Sequence, residues 1–168
     1  MTDPPSPGHD PIVARYLSRE ISAEVAVMQL LLEREDVGLA RSAVADVPAL
    51  ASLLEANAAG CDRIVQMLKR GDDSPGPAPS VEAGIASARR LFDRSVADSE
   101  ESSVAMYSLG NPAILSAATR EVVDWLDGFG VLRPDARVVE LGCGIGRFLV
   151  ELAPRVRSVH GLDLSEGM

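Results

Sequence analysis

Apolar residues recur at helical spacing through most of the first 130 positions, then give way to two short apolar runs that read as strands. The first helix is expected to start at Asp10-Pro11. An aspartate at the cap can accept a bond from a free amide, and proline at the first helical position sacrifices no intrahelical bond. Ile12, Tyr16 and Leu17 then share a face. Ser22 to Glu35 continues as helix through Val25, Met28, Leu31 and Leu32, and a break follows at Asp36 to Gly38. The cleanest amphipathic pattern runs from after Asp46 to before Gly71, where Leu50, Leu53, Leu54, Cys61, Ile64, Val65 and Leu68 predict one long helix with a single buried face.

Pro- and Gly-rich stretches divide this pattern. Residues 1–10 carry three prolines and almost nothing apolar, so they predict a disordered lead ahead of a helical region over 11–70. The segment GDDSPGPAPS, residues 71–80, reads as a linker and as the best domain boundary. Residues 81–136 read as a second helical stretch. Val81 to Ala97 forms a helix through Ile85, Ala88, Leu91 and Phe92, and DSEESS is a polar loop. A further helix starts at Pro112 and aligns Leu115, Ala118, Val122, Trp125, Leu126 and Phe129 before ending at Gly128 and Gly130. Trp125 is expected in the core. No internal repeat is evident.

The chemistry begins after RPDA. Arg137 to Leu141 reads as a strand, Gly142-Cys143-Gly144-Ile145-Gly146 as a glycine loop, and Arg147 to Ala153 as a helix. Val159 to Leu162 is a second strand ending in Asp163, 21 positions beyond Gly142. An acid about 20 residues past such a turn sits at the end of the adjacent parallel strand, where it can accept bonds from ribose hydroxyls. The glycines permit a tight turn and let a ligand lie against the backbone, and the helix that follows directs its positive end at an anionic group.

Spacing and charge distinguish one nucleoside ligand from another. A nicotinamide dinucleotide fingerprint needs GxGxxG, whose third glycine would fall at position 147; Arg147 is there, and the spacing is GxGxG. Glu140, two residues before the first glycine, would also repel a pyrophosphate, whereas a ligand carrying an ammonium and a sulfonium tolerates a carboxylate.

VVELGCGIGRF followed by VHGLDLSEGM resembles motifs I and II of class I S-adenosylmethionine-dependent methyltransferases. The resemblance implies an α/β fold: a helical N-terminal region followed, over 137–168, by the first βαβ unit of a Rossmann-like domain whose remaining strands lie beyond Met168. It implies S-adenosylmethionine as cofactor. Glu140 would hold the methionine amino end, Gly142, Cys143, Gly144 and Gly146 would form the nucleotide loop, and Asp163 would take the ribose. Cys143 would contribute through its backbone. The adenine-selecting acid, the acceptor-binding residues and any catalytic base would also lie beyond Met168, so the 168-residue chain alone is expected to be inactive and poorly soluble. The upstream helices and the run AMYSLGNP resemble the N-terminal part of some bacterial small-molecule methyltransferases, and no residue role is carried over from them.

Ordinary roles compete for the same residues. Asp163 is a rival helix cap, since Ser165 and Glu166 follow it, and Glu140 can bond to loop amides instead of ligand. Tyr107 and Asn111 can edge a cofactor pocket, but turn and packing roles suit them better. Cys61, at helical spacing, reads as core, and no base accompanies Cys143 to make it a nucleophile. His9 and His160 have no neighbour at metal-ligand spacing.

Composition narrows the function. The chain has 46% hydrophobic residues, normal for a globular protein, and a formal charge of −9. Seven basic against twelve acidic residues through Ser80, and nine against thirteen beyond it, leave neither half positive. Nucleic acid is therefore not an expected substrate, and a small-molecule acceptor is. Two distant cysteines suggest neither zinc nor a disulfide framework, no run approaches 18 apolar residues, and no signal peptide is evident, so a cytoplasmic protein is expected. The oligomeric state is left open. Three rivals to methyl transfer share these features: an aminopropyl transferase, an NAD(P)-dependent oxidoreductase, and a helical interaction module attached to a non-functional fragment of a nucleotide-binding fold.

Overall fold

The computed structural model describes residues 9–70 and 78–168. The expected disordered lead over 1–10 and linker over 71–80 therefore fall largely outside the described residues. The described residues divide into two compact units, one built from 9–70 with 105–111, the other from 78–104 with 112–168.

The first unit is helical. The Asp10 carboxylate accepts the Ile12 amide at 2.8 Å and opens α1 (Pro11–Leu17), as the Asp-Pro pair predicts. The Ser22 hydroxyl accepts the Val25 amide and opens α2 (Ala23–Arg34), which Glu35 stops in the left-handed region at φ 49°. The break at Asp36 is also the start of a helix that the apolar pattern does not reveal. Its carboxylate accepts the Leu39 amide at 2.9 Å and begins α3 (Val37–Ala43).

The face that α2 buries is Ala26, Val27, Leu30 and Leu31, while Leu32 is exposed and Val25 and Met28 are only half-buried. The predicted stripe is thus rotated by about one residue. Neighbours on several sides, α1, α3 and the two helices formed by residues 48–70, widen the buried arc beyond the stripe that simple spacing selects.

The predicted long helix is two helices, α4 (Pro48–Ala56) and α5 (Ala58–Arg70), divided at Asn57. Asn57 serves both ends. Its side-chain amide donates to the Leu53 carbonyl at 2.8 Å, and its backbone carbonyl accepts the Cys61 amide at 3.0 Å. The expected apolar face survives the break because Leu50, Leu54, Cys61, Ile64 and Val65 all enter one core with Val13, Val27 and Leu30. Burial pushes the Cys61 thiol up to about 11, with the nearby Asp62 charge adding to the effect, so this thiol is un-ionised at neutral pH.

The first unit is completed by residues 105–111, a 3-10 turn over Met106–Ser108 followed by fully buried Leu109 at φ 54°. The Asn111 amide donates to the Asn57 side-chain carbonyl at 2.7 Å. Gly60 leaves room for this segment: a Cβ there would overlap the Leu109 carbonyl.

The second unit opens with α6 (Val81–Asp98), whose first turn is capped by the Ser80 hydroxyl. No residue of α6 is fully buried, and Ile85, Leu91 and Phe92, expected inside, are exposed. The predicted polar loop is the short helix α7 (Glu100–Val104), begun by the Ser99 hydroxyl accepting the Ser102 amide at 3.2 Å. The helix α8 (Pro112–Gly128) starts and stops as predicted.

Its buried line is Leu115, Thr119 and Val123, and Trp125 is 63% exposed, so Trp125 is not a core residue. It instead packs edge-on against Phe129, itself exposed, at a ring-centroid distance of 4.6 Å. Thr119 is the residue that hides the true face. Its hydroxyl donates to the Leu115 carbonyl at 2.7 Å, so a polar side chain is buried without an unmet bond.

The strands β1 (Arg137–Leu141) and β2 (Ser158–Leu162) pair in parallel, Arg137 opposite Ser158 and Leu141 opposite Leu162, with α9 (Arg147–Leu152) in the crossover between them. All three match the predicted elements to within a residue at each end. Helices therefore dominate, and the sheet among the described residues is two-stranded and parallel, an α/β arrangement. Val138, Glu140, Val159 and Gly161 share one face of the sheet, and Val139, Leu141, His160 and Leu162 share the other, exposed face.

Replacing Gly60 by alanine is expected to lower the melting temperature, although alanine is worth about 1 kcal/mol more than glycine inside a helix. The added methyl must displace the 105–111 backbone, and overpacking of this kind costs about 1–3 kcal/mol. Thermal denaturation followed by circular dichroism checks this; an unchanged or raised midpoint would show that the segment yields freely.

Candidate functional site

The turn after β1 is built from residues that can take left-handed backbone. Gly142, Gly144 and Gly146 have φ values of 73°, 51° and 75°, a conformation that costs other residues roughly 1–2 kcal/mol each. This alternation is the physical content of the GxGxG spacing. The Gly142 and Cys143 amides both donate to the Leu162 carbonyl, at 2.7 and 3.2 Å, tying the turn to the end of β2. The Gly146 amide donates to the Cys143 carbonyl, and the Gly146 carbonyl accepts the Val150 amide in the first turn of α9.

Asp163 is brought to this loop. Its Oδ2 accepts the Gly144 amide at 2.7 Å and its Oδ1 accepts the Ser165 amide at 2.8 Å. The Ser165 and Gly144 amides hold this carboxyl below the usual carboxylate range, so it is ionised at neutral pH. Asp163 thus adjoins the glycine loop and makes a local turn with Ser165, and among the described residues it caps no helix.

Glu140 lies on the sheet face opposite Val139 and Leu141 and is paired with Gly161 across the strands. Its Oε2 is buried and has no hydrogen-bond partner. Burial raises the Glu140 pKa, and the nearby Arg147 charge opposes that rise. The alternative of a bond from this oxygen to the loop amides is not realised.

Around Gly142 the loop is open, since a Cβ there would meet no atom within 4 Å. Gly144 is covered: a Cβ there would come within 2.8 Å of the Val104 Cγ1 and 3.7 Å of the Met168 sulfur. The Cys143 side chain points back onto β2, where a Cβ on Gly161 would meet its sulfur at 2.7 Å and the Leu149 Cδ1 at 2.5 Å. Only the Cys143 backbone is therefore turned to the loop.

Arg147, at the position where a dinucleotide fingerprint would have glycine, donates to the Thr119 hydroxyl at 3.2 Å and lies over the Phe148 ring at 4.2 Å. The sequence signals Arg147 only as a departure from GxGxxG; Thr119 carries no signal. Tyr107 and Asn111 belong to the first unit, with Asn111 engaged by Asn57. Among the described residues no group of three or more His, Cys, Asp or Glu side chains is placed to hold a metal ion, and no helix is long and apolar enough to cross a membrane.

The arrangement places a buried, unpartnered carboxyl oxygen just before the glycine turn and an ionised carboxylate against its middle glycine. Comparison of the chain with protein-family models, with curated proteins and with solved structures returns no match.

Proposed function

We propose that the second unit contributes to a Rossmann-like S-adenosylmethionine site and that the full-length protein transfers the methyl group to a small-molecule acceptor. The observation that carries the reading is the Glu140 oxygen, buried without a partner beside a loop of three left-handed glycines. A buried carboxylate oxygen left unbonded is costly, and an ammonium group relieves that cost. The parallel β1-α9-β2 unit and the attachment of Asp163 to the loop support it further.

Each residue has a definite task. Glu140 holds the methionine ammonium. Gly142 presents backbone that no side chain obstructs, and Cys143, Gly144 and Gly146 complete the turn around it. The two oxygens of an ionised carboxylate offer about four acceptor sites. Two of those on Asp163 are engaged by the Gly144 and Ser165 amides, which leaves two for the ribose hydroxyls. When bound, S-adenosylmethionine would supply a sulfonium methyl that an acceptor N, O, S or C attacks, the new bond to the methyl carbon forming as its bond to sulfur breaks and S-adenosylhomocysteine leaves. The chain's contribution is then alignment and exclusion of water rather than a protein nucleophile. The acidic charge of the chain favours an acceptor other than nucleic acid.

In a thermal-shift assay of the full-length protein S-adenosylhomocysteine is expected to raise the melting midpoint, and NAD or NADP at equal concentration is not, because a ligand that binds only the folded state stabilises it. Preferential stabilisation by NAD would replace this reading with a dehydrogenase.

Asp163→Ala should weaken S-adenosylhomocysteine binding in calorimetry by about 10-fold or more, because both ribose hydroxyls lose their charged acceptor. Unchanged affinity would remove Asp163 from the site.

Glu140 generates a pH dependence with a definite sign. Its pKa is raised in the free protein by burial, so affinity for the ammonium end should fall as pH drops, starting above the ordinary glutamate range near about 4.3. Glu140→Gln should bind about tenfold or more weakly at neutral pH and lose this limb of the profile, a charge-assisted bond being worth roughly 1.5–3 kcal/mol. A profile identical in both proteins would exclude Glu140 as the partner of the cation.

A further inference from the structure

The segment after β2 is held from outside the βαβ unit. The Asp93 carboxylate on α6 accepts the Ser165 hydroxyl and, at 3.0 Å, the Gly167 amide through the same Oδ1. One turn earlier, the Arg89 guanidinium donates to the Leu164 carbonyl at 2.9 Å and stands 3.5 Å from the Glu166 carboxylate. The Ser165 hydroxyl also accepts the Met168 amide at 3.2 Å. Ser165 is buried although almost everything around it is exposed, because α6 lies over it.

These contacts bear on Asp163. Residue 165 is bonded by its amide to Asp163 and by its hydroxyl to Asp93, so one serine joins both carboxylates. If Ser165 shifts, the Asp163 side chain loses one of the two bonds that orient it, and the other, to the Gly144 amide, is the link to the glycine loop. The α6 helix buries no residue of its own completely, and it grips residues 164–167 through polar side chains.

We infer that Asp93 is a positioning residue for Asp163: by holding Ser165 and Gly167 it sets the carboxylate that receives the ribose and keeps the glycine loop tied to β2. This deepens the S-adenosylmethionine reading and rests on it for the ligand. The ligand-free half of the claim, coupling from Asp93 to the Gly144 amide, stands apart from that reading. No bond joins Asp93 to the glycine loop itself, so a change there must travel through Ser165 and the Gly167-Met168 segment that Asp93 also holds.

The test uses Asp93→Ala and Asp93→Asn. Alanine removes the acceptor while improving helix propensity, so α6 itself is not weakened; asparagine keeps an acceptor oxygen of the same reach. Hydrogen exchange followed by NMR on the ligand-free proteins should show faster exchange of the Gly144 amide in the alanine variant and near wild-type exchange in the asparagine variant. Calorimetry then compares S-adenosylhomocysteine with its 2′,3′-dideoxy analogue. The wild type should prefer the ribose form by about tenfold or more, two hydroxyl contacts being at stake, and this preference should shrink in Asp93→Ala and recover in Asp93→Asn. Equal weakening of both ligands, or Gly144 exchange unchanged while Gly167 exchange rises, would overturn the positioning role. Absence of S-adenosylhomocysteine binding by the wild type would instead overturn the cofactor reading and the ribose part of the inference, with the exchange data still deciding the coupling.

Discussion

A chain that leaves a two-stranded parallel sheet through a tight turn exposes backbone amides that must find acceptors, and the second unit is organised by how this is met. The Leu162 carbonyl takes the Gly142 and Cys143 amides and the Asp163 carboxylate takes that of Gly144. Both acceptors come from the end of β2, so the turn after β1 and the end of β2 hold one another. That mutual constraint needs the parallel register in which Leu141 faces Leu162, and it needs glycine where φ is positive. Ser165 and the α6 helix then secure the acceptor side of the same arrangement.

Charge gives this framework its chemical character. The two carboxylates near the loop are perturbed in opposite directions by different causes. Asp163 is exposed and stabilised as an anion by two amides, whereas Glu140 is desolvated and pushed toward the neutral form, with Arg147 limiting the shift. Opposed shifts in neighbouring acids divide labour between them. An anion already supplied with amides makes a permanent acceptor for hydroxyls. A buried oxygen without a partner makes a site whose charge depends on what arrives.

The first unit depends on a different device. Asn57 divides what would be a single helix, satisfies carbonyl and amide groups at the break, and receives Asn111 from the far end of the chain segment that completes the unit. One polar side chain therefore turns the helix pair and anchors residues 105–111, and Gly60, one turn into α5, leaves the space that the Leu109 carbonyl fills. The apolar pattern of α4 and α5 is continuous across this break, which is why periodicity alone reads it as unbroken.

The elements nearest the candidate site were the most legible, because their signals are local. Left-handed glycines, a five-residue strand on each side and an acid at the end of the second strand follow from bond geometry within about 30 residues, and Asp10-Pro11 and Pro112 mark helix starts by the same short-range physics. What depended on tertiary contacts was not legible. Trp125 and Phe129 sit on an apolar stripe yet remain exposed, while Thr119 is buried because its hydroxyl bonds within its own helix. DSEESS forms a helix because Ser99 caps it, and Asp93 meets Ser165 across 72 positions with no mark in either segment. Local residue chemistry sets where the backbone can turn, where helices and strands can start, and the order of strand, glycine loop, helix and strand. Which face of each helix is covered, and which distant polar groups share a bond, is settled by packing between elements. Burial depends on which neighbours arrive, and a periodic pattern states that a face is available without stating what will cover it.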